Sequence, residues 1–423
     1  MNEIRNRLAG MGGLLAIAVL AWGCAAPARA AGITEATASA TRAPGSDAAA
    51  ARAADGVNSF GFDLYALVGK SGGNLVFSPA SIELALAMAR AGANGQTASQ
   101  MDAVLHLAAD GGDGMNSLDQ ALANLSGTFK DDAGKDVQLK LRIANAPFAQ
   151  RGMPLEKAYL ETLATRFGAG LRLVDFKQDA AGACKLINGW VSDQTEKRIP
   201  KLLASLDPDT RLVLVNAIYL KAPWQTAFLE TATVPAPFTT ASGTQVSVPT
   251  MNNTFGGRYA SGSGWQAAEL PYVGGSLAMT IVVPDDMATF EKTLNGSTWA
   301  QITAGLGYSE VQLSLPRFRT ETRAELGALL PGMGMTDAFD PTKADFSGIT
   351  KAEQLFISQV VHQANISVDE KGTEAAAATA VVMKATAMPQ FKKLVVDKPF
   401  IFAVRDTKTG AILFLGRIAD PSK

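Results

Sequence analysis

The sequence predicts an α+β fold, helices gathered in the first half and mainly antiparallel strands in the second. Apolar residues recur at helical spacing up to about residue 200 and shift toward alternation from residue 210 onward. The last two apolar runs flank Asp406-Thr407-Lys408-Thr409-Gly410, a hairpin signal. One late interval, residues 370–383, fits neither half cleanly.

The N-terminus comes first. Arg5 and Arg7 precede an apolar run from Leu14 to Trp22, too short to span a bilayer, so residues 1–30 read as a signal peptide and the protein as exported: secreted or periplasmic, or lipid-anchored at the cell envelope. Ala28-Arg29-Ala30 is a cleavage site that releases a soluble chain. Cys24, directly after the apolar core, is a competing lipidation site that would anchor the protein to a membrane. Residues 31–54, rich in Ala and Thr with no aromatic residue, read as a linker or disordered arm. Residues 55–423 read as one large domain.

Val57, Phe60, Leu64 and Leu67 predict a helix ending near Gly69. Residues 74–77 are a short apolar strand. Ser78 then caps a helix with Pro79 at its first position, stopping at Gly92. Further helices fit 97–107, 117–129, 155–167 and 180–197. Strands fit 211–220, 245–251, 265–270, 277–283, 310–316, 355–368, 400–405 and 412–418.

Composition excludes several functions. The 38 Lys+Arg against 39 Asp+Glu give no basic field for nucleic acid. Beyond residue 30 two histidines, His106 and His362, and one cysteine, Cys184, remain (Cys24 lies in the leader), too few for a four-ligand Cys/His zinc site or a disulfide framework in the mature chain. No metal and no cofactor is implied. Gly111-Gly112-Asp113-Gly114 lacks the Gly-Lys-Ser/Thr of a phosphate loop and reads as a plain loop; Asp110, Asp113, Asp131 and Asp132 lack EF-hand spacing. The chain is poor material for an enzyme.

In the odd interval, Thr373, Ala375, Ala377, Thr379, Val381 and Met383 are small or apolar, and the opposite parity carries Glu374 and Lys384. That alternation suits a half-buried strand, whereas its alanines suit a helix.

Here the residues reach a family resemblance. Glu370-x-Gly372-Thr373-Glu374-Ala375-Ala376-Ala377-Ala378-Thr379 resembles the hinge of the inhibitory serpins. The resemblance covers residues 55–423 and appears in order. Asn74-x-Val76-Phe77-Ser78-Pro79-x-Ser81-Ile82 is similar to the family's shutter segment, and Gly92-Ala93-Asn94-Gly95-Gln96-Thr97 to the turn after it. Ile187-Asn188-x-Trp190-Val191 is similar to a helix motif, and Val215-Asn216-Ala217-Ile218-Tyr219 with Trp224 to a central strand and the breach tryptophan. Leu270-Pro271-Tyr272, Pro316-Arg317-Phe318, Gly334-Met335 and Lys398-Pro399-Phe400…Phe414-x-Gly416-Arg417 complete it.

The resemblance implies helices plus three β-sheets, with an exposed reactive-centre loop able to insert into the central sheet. It implies a monomeric suicide-substrate inhibitor of serine proteases, with cysteine proteases as a further class. The protease attacks a bait bond and forms an acyl-enzyme; the loop then inserts as a new strand and distorts the bound enzyme. The runner-up is a non-inhibitory serpin acting as a binding protein or decoy. The family's hinge length places the bait bond fourteen residues after Gly372, at Thr386-Ala387, with Lys384, Ala385 and Met388 as alternatives. A Thr there suits elastase-like or subtilisin-like targets.

The resemblance also implies that His362 sits in the shutter, with Ser78, Ser81 and Asn216 as partners, rather than in a hydrolase site. His106 reads as a surface or boundary residue. Cys184 reads as a buried small apolar residue, and Trp190 and Trp224 as core anchors.

Overall fold

The computed structural model describes residues 32–374 and 391–423. Cys24, the leader, hinge residues Ala375 to Thr379 and every bait-bond position, Lys384 to Met388, lie outside the described residues.

The helical first half opens with Asp47–Val68, whose N-cap Ser46 accepts a hydrogen bond from the Ala49 amide. Pro79–Arg90 follows, with Ser78 as N-cap and every residue but Arg90 buried. Gly95–Val104, Asp113–Ala123, Lys157–Thr162 and Phe176–Gln194 complete the larger helices of this half.

Among the described residues the strands form two sheets. The eight-stranded one runs Thr34–Ala36, Leu171–Val174, Asp136–Gln150, Leu212–Pro223, Gly372–Thr373, Gln359–Asp369, Phe318–Glu325, with Gly127–Lys130 paired to Asp136–Gln150. The nine-stranded one runs Lys392–Val395, Gly307–Pro316, Gln245–Gly262, Trp265–Pro271, Leu277–Pro284, Phe400–Asp406, Ile412–Ile418, Leu75–Phe77, with Val234–Thr239 beside Gln245–Gly262. Strands that the resemblance divides among three sheets are thus hydrogen-bonded into two. The joint is the 18-residue Gln245–Gly262 strand, which pairs with Gly307–Pro316 in its middle and Trp265–Pro271 toward its end. Gly257 permits that handover, because a Cβ there would meet the Glu269 carbonyl oxygen at 2.8 Å.

Leu212–Pro223 shows why the first sheet is central. Val213, Val215 and Ala217 face a cluster under the Phe176–Gln194 helix, with Phe148, Cys184, Ile187 and Trp190. Leu212, Leu214, Ile218 and Leu220 face the larger core between the sheets. A strand covered on both faces reads as a continuous apolar run. Cys184 is a buried free thiol in the smaller cluster, and Trp190 packs edge-on against Phe148 there.

Three expectations are corrected. Residues 32–54 are not a disordered linker: Thr34–Ala36 pairs with Leu171–Val174, Ile33 is buried in the smaller cluster, and the first helix already starts at Asp47. The arm is also tied down by Arg42, which pairs with Asp119 at 2.6 Å, and by the Ala43 carbonyl, which accepts from Asn116 and Gln120. Its alanines need no bulky core because they border elements that already have one. The helix expected over 117–129 runs Asp113–Ala123 and gives way to the strand Gly127–Lys130, whose Thr128 and Phe129 favour extended backbone. In the expected loop at 111–114, Gly111 and Gly112 have positive φ, but Asp113 and Gly114 already belong to that helix.

Ile33→Ala removes buried methylene groups from the arm's anchor and is expected to lower stability by about 2 kcal/mol, read as the urea unfolding midpoint. An unchanged midpoint would mean that the arm contributes nothing to the fold.

Candidate functional site

The central sheet contains a slot. Gln359–Asp369 and Leu212–Pro223 run parallel and pair from Gln359↔Val213 to Gln363↔Ala217. At their far ends Gly372–Thr373 lies between them, with Thr373 opposite Ala222 on one side and Val368 on the other. Between these two zones the strands are not paired to each other.

Three groups hold the filled end. Trp224 stacks on Tyr272, with ring centroids 4.5 Å apart and planes 8° apart, and its indole N–H donates to the Asp369 carbonyl at 3.0 Å. The Tyr272 and Thr373 hydroxyls, both buried, are 2.7 Å apart. Glu370 takes two donors from Arg317, at 2.8 and 2.5 Å, and one from the Thr233 hydroxyl. Burial opposes ionisation of Glu370, but those hydrogen bonds and the Arg317 charge outweigh it, so its carboxyl lies below the usual range.

Gly372 can be no other residue in this geometry. Its φ is +141°, and a Cβ would come within 2.2 Å of the Ala222 carbonyl oxygen. Glu374 has a φ of +51°, a left-handed conformation that costs an L-residue roughly 1–2 kcal/mol. Its carboxylate lies 3.2 Å from Arg198, and its amide still donates to Ser367. The strand geometry therefore breaks at Glu374.

The paired end of the slot is closed by a polar row. Asn145, Asn216 and His362 are registered neighbours on three adjacent strands. His362 is fully buried; its Nε2 accepts the Ser78 amide at 3.0 Å, so the ring proton sits on Nδ1 and is donated to Asn216 Oδ1. Asn216 Nδ2 donates to Ser81 Oγ at 2.6 Å and to Asn145 Oδ1 at 2.5 Å. The Ser81 hydroxyl donates to Asn145 at 3.0 Å, and the Asn145 amide returns a bond to the Ser81 carbonyl at 2.8 Å.

All the sequence-predicted partners of His362 therefore meet, with Ser78 contributing its amide while its hydroxyl caps Ser81. Asn145 was missed. Its strand, Asp136–Gln150, alternates only in its first half and contains Pro147, which argues against a central strand. His106 stands apart, half-exposed and 2.8 Å from Asp63.

A family model described as serpin (serine protease inhibitor) matches residues 55–421. The chain belongs to the serpin family. Relatives include an uncharacterized serpin-like protein of Thermococcus kodakarensis, 40% identical over 371 residues (86% of this chain, 85% of that one). Human leukocyte elastase inhibitor is 35% identical over 378 residues, covering 86% of this chain and 97% of the inhibitor. Among solved structures, native tengpin, a thermophilic serpin, superposes with a TM-score of 0.80 at 27% identity, covering 92% of this serpin and all of tengpin.

Burial lowers the His362 pKa from 6.5 to about 3, so the folded serpin holds it neutral. Between those values the unfolded chain binds the extra proton. The stability contribution is complete above pH 6.5 and is lost as pH falls toward 3. Between pH 7.5 and 5.0 the wild type should lose about 2 kcal/mol more than His362→Gln in urea unfolding. Equal losses would show that His362 is not held neutral.

Proposed function

We propose that this serpin is a suicide-substrate inhibitor of serine proteases, probing elastase-like or subtilisin-like enzymes with a bait bond at Thr386-Ala387. The observation that carries the reading is Gly372–Thr373, a two-residue strand already placed between Leu212–Pro223 and Gln359–Asp369. Continued one residue per step in that register, insertion would set Met383 opposite Leu212, where the neighbouring strand begins. The inserted stretch would be Thr373 to Met383, the same residues whose sequence alternates small or apolar side chains on one parity.

The steps follow from that register. The protease serine attacks the Thr386 carbonyl carbon, an ester forms, and the Ala387 amine leaves. Release of the loop lets Glu374 relax to extended backbone, and each further residue of the hinge gains ladder hydrogen bonds on both sides. To pass Ala217 the new strand must part the pairs from Gln363↔Ala217 downward, which include the His362–Asn216 contact. This reading makes that contact the gate of a kinetic barrier. The catalytic groups belong to the protease; the serpin supplies the bond and the stored free energy. The elastase inhibitor among its relatives supports the choice of target class.

Incubation with elastase or subtilisin should give an SDS-stable 1:1 complex, and mass analysis of the released peptide should place the cut after Thr386. Thr373→Arg puts a charge in the buried position beside Tyr272 and should convert the inhibitor into a cleaved substrate. Cleavage of the wild type with no stable complex at any ratio would sink the trapping mechanism.

We further propose that the leader exports the protein. Palmitate labelling that disappears in Cys24→Ala would identify the lipid-anchored form, whereas an unlabelled chain starting at Ala31 would identify the soluble one.

A further inference from the structure

The Pro79–Arg90 helix that carries Ser78 and Ser81 at its start also carries Glu83, 1% exposed. Oε2 of its carboxyl is buried with no hydrogen-bond partner among the described residues. A carboxyl left in that condition is costly unless something outside the fold completes it. Glu83 lines a cavity of about 360 Å³, within the range that holds small organic ligands.

The cavity lies among the helices Asp47–Val68, Pro79–Arg90 and Asp113–Ala123 and the turns beside them. Its apolar wall comes from Ala53, Ala87, Leu107, Met115 and Phe167. Its other charged groups are already matched. Arg90 grips Asp102 with two bonds of 2.6 Å. His106 is turned to Asp63 at 2.8 Å. The N-terminus of the Asp113–Ala123 helix would otherwise attract an anion, but Asp110 accepts the Gly112 and Gly114 amides at 3.0 and 2.9 Å. The unmet demand in the cavity is for a donor or a positive charge, at Glu83.

We propose that this cavity binds a small organic cation, a primary amine or guanidinium on a short apolar stem, with the Glu83 carboxylate as counter-ion and the Met115–Phe167 wall receiving the stem. Half-exposed Asp102 and His106 stand at its mouth and leave a way in. Burial holds the unliganded Glu83 carboxyl well above the usual range, so cation binding releases a proton to solvent. No described residue of the central-sheet slot lines the site, yet it shares a helix with the residues that bond Asn216 and His362.

Pentylamine is the probe, with 1-pentanol as its neutral control. Titration of the full chain should raise the thermal midpoint saturably with pentylamine and not with 1-pentanol. Calorimetry in two buffers of different ionisation enthalpy should report the released proton. Glu83→Gln, which keeps the shape and removes the charge, should weaken binding roughly tenfold or more. Met115→Trp keeps Glu83 but fills the space, and should abolish binding. Equal affinity in Glu83→Gln and wild type, retention in Met115→Trp, binding of 1-pentanol as tight as that of pentylamine, or no saturable response at millimolar amine would each overturn the site.

Discussion

The fold turns on the contact between His362 and Asn216. These two side chains are registered partners in a parallel ladder only five pairs long, and they are the polar link between two strands that otherwise part company. Besides Asn145 on the neighbouring strand, their partners Ser78 and Ser81 come from beneath the sheet, at the start of the Pro79–Arg90 helix. Separating the strands therefore also pulls on a helix, and it would strand buried donors and acceptors in an apolar interior. The network is satisfied as long as the strands stay together.

The opposite end of the slot is held by different physics. There a stacked Trp224–Tyr272 pair, a Thr373 hydroxyl and the Glu370–Arg317 pair hold Gly372 and Thr373 in strand register. Arg317 is half-exposed whereas Glu370 is buried, so the pair is reachable from solvent on one side only. The neutral row at one end and the charged clasp at the other bracket a length of unpaired strand edge between them.

Much of this was legible in the chain. Ser78 with Pro79 announced the buried helix and the Val215-Asn216-Ala217 run its central strand; Thr373, where the alternation starts, does lie in a strand, and the residues from Ala375 on lie outside the described residues. What could not be read had physical causes. Asp136–Gln150 is covered on both faces only in its second half, so its alternation fades where Asn145 sits. The arm before Asp47 has too little apolar surface to order itself, yet Ile33 needs only a berth in the smaller cluster that the rest of the fold provides. The burial of Glu83 has no signal in the sequence, since nothing in the spacing of its neighbours marks that face of the helix as enclosed.

The arm has a consequence at the margins of the sheet. Long, flat outer strands invite other chains to add on. Here one margin is capped by Thr34–Ala36, a strand of three residues, and the other by Phe318–Glu325, whose Arg319, Glu321, Arg323 and Glu325 place a charge at every second position. Both are poor templates. The unpaired stretch of strand edge thus lies in the interior of the sheet and not at its rim, and Gly372–Thr373 already occupies one end of it.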